Sequence, residues 1–290
     1  MTQASGNSTG VQWEQTLEQW MENPFLLWGI GPSMIILVTY LVTVAILEWV
    51  IRQDWCHHYL LVYRSKENRL DQIQNIYNTK GMSVKEQFTS GLWQVAGPLN
   101  LVGCIFNGLV FPMVIPKHAE MFPEWKQLSI DVVLLALVAD FFLYWGHRIQ
   151  HEIPYLWENF HSVHHRLSTP SPVGTIYIDS NDALIQAGIP IIVCALIVRP
   201  HPMSYYVYVS FHLANNVFNH SGIDAWWFDL LTLKFLPLRS KNSHHDAHHR
   251  FTNFGKNAKN FGEMFWLWDY VFQTMGKSAK LARKQKAKGQ

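Results

Sequence analysis

The sequence predicts an all-α integral membrane protein, a bundle of apolar helices carrying a cytosolic, histidine-rich cap for two metal ions. Three observations predict it. Apolar runs long enough to cross a bilayer recur along the chain, and a helix is their natural form because lipid offers the backbone no hydrogen-bond partners. Histidines gather in spaced clusters that lie outside those runs. Basic residues are absent before Arg52 and abundant after it, which sets an orientation.

With 290 residues, 49% hydrophobic and 14% aromatic, the chain has the size of one substantial domain, and its formal net charge of +2 decides nothing about partners. No nucleic-acid partner is expected. Cys56, Cys104 and Cys194 are far apart, two of them in apolar stretches, so they read as small buried hydrophobes rather than a disulfide framework.

Residues 1–25 are a polar tail in which Asn7-Ser8-Thr9 forms a sequon, with no evident cleavable signal. Leu26 to Ile51 is the first spanning run. The polar segment that follows, Arg52 to Gln87, carries Arg64, Lys66, Arg69, Lys80 and Lys85, and Leu60-Leu61-Val62-Tyr63 is available for an interfacial helix. His57-His58 here are not expected to be ligands. Leu92 to Ile115 is the second run, where Gly97-Pro98 and Pro112 predict a kink. Residues 26–127 thus read as an amino-terminal transmembrane region.

Leu128 to Trp145 is the third run and leads directly into His147. Asp140, Tyr144, His147 and His151 recur at i, i+4, i+7 and i+11, so they share one stripe of a continuous helix. A carboxylate in an apolar span is costly unless it faces a polar interior. Asp140 and Tyr144 are therefore candidate catalytic residues, expected to point toward the metals. Ala183 to Val198 and Met203 to Phe218 form a helical hairpin about Arg199-Pro200-His201-Pro202, which returns the chain to the side it left. The run Tyr205, Tyr206, Tyr208 and Phe211 lines either a lipid-shaped cavity or a membrane-packing face, and His212 is an outlying site candidate. Asp224 to Leu238, with Trp226-Trp227-Phe228, reads as interfacial because indole rings favour the headgroup zone. The aromatic run from Phe265 to Trp268 is expected to pack beneath the site, and residues 277–290 are a basic tail whose Lys286-Ala287-Lys288-Gly289-Gln290 matches an endoplasmic-reticulum retrieval pattern.

Ten of the 15 histidines fall in the clusters: His147 and His151; His161, His164 and His165; His220; and His244, His245, His248 and His249. Spacings of three and four put imidazoles on one helix face, where several can grip one ion. The zincin pattern H-E-x-x-H is absent, since His151-Glu152 is followed by Ile153-Pro154-Tyr155. The clusters hold no cysteine, which argues against zinc fingers and iron–sulfur clusters. So many imidazoles suit two metals better than one.

The boxes H-x-x-x-H, H-x-x-H-H and H-D-x-H-H, with Asn219-His220-Ser221-Gly222 ahead of the third, resemble the fatty acid hydroxylase superfamily of membrane di-iron enzymes, which includes sterol methyl oxidases, sterol desaturases and cholesterol hydroxylase. The likeness covers residues 128–276, which read on that basis as the catalytic domain, including Asp140 to Trp145 before the first box and Phe265 to Phe272 after the last. It implies two irons held by the ten clustered histidines, dioxygen as co-substrate, and NAD(P)H-derived electrons arriving through an external haem protein such as cytochrome b5 and its reductase. A membrane lipid is the implied substrate, most closely a sterol. Two departures, Tyr177-Ile178-Asp179-Ser180 after the second box and Phe272-Gln273-Thr274 at the close, bear on which lipid. Acyl hydroxylation, desaturation and epoxidation of a sterol precursor remain alternatives on the same site. Outside enzymes, a metal transporter would bury its histidines at mid-bilayer depth, and a metal-binding or lipid-sensing scaffold would be expected to have lost ligands. The basic bias places the amino-terminal end in the lumen and the boxes in the cytosol, with the endoplasmic reticulum as the expected membrane.

Overall fold

The computed structural model describes residue 16 and residues 19–61, 83–118, 120–167, 171–252, 254–255 and 257–276. The Asn7-Ser8-Thr9 sequon, Val62-Tyr63 and most of the basic loop, and the tail with its retrieval pattern lie outside the described residues. Within them the chain is helical, joined by turns and two isolated bridges.

Four helices are long and apolar enough to cross a membrane: Leu26–Ile51, Val84–Val114, Trp125–Glu152 and Ser180–Val198. The first, α1 (Leu26–Ile51), begins with a π-helical turn, and Pro32 follows where that turn passes into regular α-helix. The second is two helices rather than one kinked run. α2 (Val84–Ala96) starts on a capping box, with Glu86 N–H donating to Ser83 Oγ at 3.2 Å and Ser83 N–H to Glu86 Oε2 at 2.7 Å. It stops at Gly97, which is extended (φ −90°, ψ −166°), and α3 (Pro98–Val114) restarts on the proline. Pro98 disfavours helical backbone at the residue before it, so the helix breaks instead of bending.

α4 (Trp125–Glu152) delivers the first histidines, and its 28 residues reach roughly 42 Å at 1.5 Å per residue. α5 (Ser180–Val198) is capped by Asp179, whose Oδ1 accepts Asn181 N–H at 2.8 Å. The hairpin turn then forms as the sequence requires. Arg199 takes a left-handed conformation (φ 52°) that ends α5, and His201 caps α6 (Pro202–His220) by accepting Met203 N–H on Nδ1 at 3.1 Å. Asp131, inside the apolar run of α4, accepts His201 N–H at 2.9 Å and so finds its partner at that turn.

α6 is the inner helix of the bundle, packed on α1 and α4. Its buried stripe carries Ser204, His212, Asn215, Asn219 and His220, which explains why it falls short of the apolarity of its neighbours. One core joins α1 to the far end of α6 through Tyr40, Val44, Leu47 and Val217. The other, around Trp28, Phe111, Leu135, Tyr205 and Tyr208, fills the opposite half. Tyr205 and Tyr208 therefore pack within the bundle, while Tyr206 donates to the Leu27 carbonyl. Among the described residues after α6, three shorter helices follow: α7 (Trp226–Leu231), α8 (Asn242–Phe251) and α9 (Leu267–Val271).

Candidate metal centre

Four pieces of chain meet where α4 and α6 end, and each brings imidazoles. The last turns of α4 hold His147 and His151. Pro154 cannot continue that helix, so Ile153 turns extended (φ −98°, ψ 115°) and the chain recoils through Pro154–Leu156, a π-helical turn at Trp157–His161, and Ser162–His164. His220 closes α6. α8 presents His245, His248 and His249, whose spacing puts them on one face.

The result is two adjoining groups. His147, His151, His161, His165 and His248 form one, and His164, His220, His245 and His249 the other; within each, the potential ligand atoms all lie within 4.8 Å of one another. All nine rings are buried. His165 of the first group stacks on His249 of the second, with centroids 4.9 Å apart.

Hydrogen bonds at the backs of the rings fix what the fronts can do. The Nδ1 atoms of His147, His164, His220, His248 and His249 face the carbonyls of Phe261, Tyr177, Asn216, Lys259 and Leu167 at 2.6–3.3 Å. A carbonyl only accepts, so each of these Nδ1 atoms carries the proton and each Nε2 presents a bare lone pair. The Nδ1 of His161 does the same against Asp182 Oδ2 at 2.9 Å.

Five of those lone pairs point at the Nε2 of a neighbouring imidazole. Nε2 atoms face across 3.0 Å between His151 and His161, 3.1 Å between His165 and His248, 3.1 Å between His245 and His249, and 3.2 Å between His220 and His245. His164 and His220, both bare on Nε2, stand 3.5 Å apart. The Nε2 of His147 is buried with no hydrogen-bond partner at all. The two lone pairs of His164 and His220 repel unless a cation lies between them, and the bare Nε2 of His147 likewise calls for one. A metal–nitrogen bond of about 2.1 Å puts two ligands at right angles roughly 3.0 Å apart, so these residues fit a bound metal in each group.

The electrostatics agree. Burial, and after it the crowding of like rings, holds His161, His165, His245, His248 and His249 well below the ordinary imidazole range. They are neutral near pH 7, the form in which imidazole binds a metal. Phe261 lies against His147, His151 and His248 with ring centroids 5.3–5.7 Å away, and Trp157 against His151 and His165 at 5.0 and 5.3 Å. These rings wall the first group from water.

Three of the residues expected at the site do other work. His244 joins neither group. Its Nε2 lies 2.9 Å from Asp269 Oδ2, so although His244 stands four residues before His248 its ring, about 100° round the helix from His245, is held outside both groups. Asp140 is buried on the expected stripe, yet its carboxylate accepts the N–H groups of Met264 and Phe265 at 2.9 and 3.1 Å. The hydroxyl of Tyr144 pairs with Thr274 Oγ1 at 2.8 Å and accepts from Arg148 Nη1 at 3.2 Å. Both tie the segment after the third box to α4 instead of facing the imidazoles. His212 also lies outside the groups, its Nε2 3.4 Å from the Asn216 amide nitrogen. Trp268 and Phe272 pack on Phe141 and Trp145, beside the centre.

Sequence reasoning missed Asp182, which orients His161 and is itself held by Gln150 Nε2 at 3.0 Å. Its one signal was a carboxylate at the mouth of an apolar run. It also missed Asp269, which holds His244 and accepts the N–H groups of Phe261 and Gly262 at 2.9 and 2.8 Å.

A cavity of about 220 Å³ opens among α1, α2, α3, α5 and α6, and its wall includes Val95, Ile176, Ile178, Ile192, His212 and Asn216. It abuts the second group, since Asn216 orients His220 and Tyr177, between Ile176 and Ile178, orients His164.

Among known proteins, the Fatty acid hydroxylase family matches residues 132–274. Methylsterol monooxygenase 2-2 of Arabidopsis thaliana is 32% identical over 148 residues, 50% of this chain and 54% of that protein. Very-long-chain aldehyde decarbonylase GL1-11 of Oryza sativa subsp. indica is 32% identical over 172 residues, 59% of this chain and 63% of the relative. Fatty acid hydroxylase vlmA of a Lecanicillium species is 30% identical, over 52% of this chain and 43% of its own. The chain thus spans less than two thirds of the length of these relatives. No solved structure matches it.

Proposed function

On the match of residues 132–274 to the Fatty acid hydroxylase family, we propose that the chain belongs to that superfamily and is a membrane-bound non-haem di-iron oxygenase acting on a lipid. The observation that carries this reading is the convergence of buried imidazole Nε2 atoms at 3.0–3.5 Å, with the bare lone pairs of His161, His164, His220, His248 and His249 all aimed at a neighbouring ring nitrogen. The five-histidine group holds one iron and the four-histidine group the other. Bound there, the irons supply oxidation by dioxygen, with the balance RH + O2 + 2e− + 2H+ giving ROH + H2O.

The chain's own residues orient and exclude. Main-chain carbonyls and Asp182 lock six imidazoles in one tautomer, which keeps the ligand set rigid before any substrate arrives. Phe261 and Trp157 keep water from the first group, and the cavity beside the second offers a lipid a dry approach. Electrons come from a separate donor, a haem protein of the cytochrome b5 kind fed by NAD(P)H.

The substrate we favour is a sterol, on the third box, His244-His245-Asp246-Ala247-His248-His249 behind Asn219-His220-Ser221-Gly222, and on the likeness to a methylsterol monooxygenase. A second reading, a very-long-chain aldehyde, is favoured by the aldehyde decarbonylase relative, which aligns over the longer stretch at the same identity. Deleting and restoring the gene while following sterols, squalene-type precursors and acyl lipids by mass spectrometry separates the two. Accumulation of an unoxidised sterol is expected. Unchanged sterols with loss of oxidised acyl chains would overturn the sterol assignment and leave the oxygenase standing.

The orientation we propose has the histidine boxes in the cytosol of an endoplasmic-reticulum membrane. The end of α1 and the start of α2 meet residues 171–173 just after the second box, and the ends of α4 and α6 carry its partners, with Asp182 at the start of α5 holding His161. The three natural cysteines are buried, so a cysteine introduced at Ser278 should react with an impermeant reagent in sealed, cytosol-side-out microsomes, while one at Ser5 should not. The reverse pattern would invert the topology.

A further inference from the structure

Between α7 and α8 the chain is built inside out. Leu231 is 73% exposed, Phe235 54% and Leu233 43%, whereas Lys234, the cation among them, is 1% exposed. Its amine is turned inward, donating to Asn219 Oδ1 and to the Ser240 carbonyl, the latter at 3.0 Å. Arg239 is buried as well, with Nη2 2.8 Å from Asn215 Oδ1. A segment in water shows its lysines and hides its leucines. This one does the opposite.

The backbone enforces that arrangement. Leu233 and Leu238 hold left-handed conformations (φ 57° and 68°) that a side chain with Cβ rarely adopts. Thr232 Oγ1 closes the preceding turn on the Phe228 carbonyl at 2.6 Å, and Lys234 N–H reaches back to the Asp229 carbonyl at 2.8 Å. The leucines are thus presented by a fixed loop.

We propose that residues 229–239 form a loop that dips into the lipid leaflet nearest the metal centre and seats the histidine cap on the bilayer surface. Continuity with the membrane belt supports a lipid occupant. Trp227 packs on Trp55 and Tyr59 with ring centroids 5.8 and 5.7 Å away, and those residues directly follow the metal-side end of α1. Trp226, 75% exposed, stands at the start of the same patch, where indoles mark a bilayer interface. A soluble donor or a second chain would be steered by charge, and the patch offers none: both cations face inward, and Asp229 is paired with Lys241 at 2.7 Å. The anchor also reaches the centre, since Asn219, which holds Lys234, immediately precedes His220.

The test uses the full chain in phosphatidylcholine nanodiscs. Single nitroxide labels at Leu231→Cys and Phe235→Cys, neither of which touches the histidines, are compared with Lys241→Cys. Oxygen accessibility should exceed that of a water-soluble nickel chelate several-fold at the first two positions, with the order reversed at the third. In the unsubstituted chain, a phosphatidylcholine carrying a mid-acyl diazirine should crosslink within residues 230–238. Chelate access at Leu231 and Phe235 equal to that at Lys241, shielding of both labels from oxygen and chelate alike, or crosslinks confined to α1 and α3 would each overturn the proposal.

Discussion

His164→Ala is expected to abolish turnover and to take one of two metals with it. The ring belongs to the four-histidine group, where its Nε2 stands 3.5 Å from that of His220 and its Nδ1 is fixed by the Tyr177 carbonyl. Without it three imidazoles remain on that side. Losing a ligand outright should cost more than the roughly 10–100-fold that follows from losing only a partner that orients one. His164 lies on a helical turn outside the spanning helices, so insertion into the membrane should be unchanged. Metal analysis of the purified proteins decides the matter. Iron near two per chain in the parent and one in the variant is the expected result, while a single tightly bound zinc, indifferent to the substitution, would sink the two-site reading.

Asp182→Asn should injure the other group without removing any ligand. The carboxylate accepts the His161 Nδ1 proton at 2.9 Å on one oxygen and Gln150 Nε2 at 3.0 Å on the other. An asparagine that keeps the Gln150 bond turns its own amide N–H groups toward His161. Two donors then meet, and the imidazole relieves the clash by moving its proton to Nε2, the atom the metal needs. Metal affinity of the five-histidine group should fall by about 10–100-fold while the four-histidine group keeps its ion. Stepwise chelator titration would reveal this as one early and one late release. Two releases identical to those of the parent would show that Asp182 has no hold on the centre.

The sequence made the helices and most of the centre legible because both rest on local spacing. A run of helical length ending in His147 and His151 can be read directly, and so can H-x-x-H-H on a helix. What escaped depends on chain far away. Asp182 meets His161 across 21 residues and Asp269 meets His244 across 25. Nothing in the spacing of His244 beside His245 announces that a distant carboxylate will claim it, although the turn angle between neighbours already separates the two. Asp140 was read correctly as buried and wrongly as facing the metals. Its true partners, the N–H groups of Met264 and Phe265, arrive only when the chain after the third box folds back along α4. Gly97-Pro98 suggested a bend and made a break, since an extended glycine leaves no helix to bend.

The length of α4 has a further consequence. Its 28 residues outreach a hydrocarbon core of about 30 Å by roughly 12 Å, some two turns, and the histidines sit on those two turns. In the proposed orientation the helix would act as a ruler that sets the height of the centre above the oily layer. Membranes differ in thickness by about 5 Å between the endoplasmic reticulum and the cell surface, which is close to one helical turn. In the thicker membrane the turn bearing His147 would be drawn down to the headgroups, leaving the turn bearing His151 above them, so the same chain would meet its substrate at a different depth.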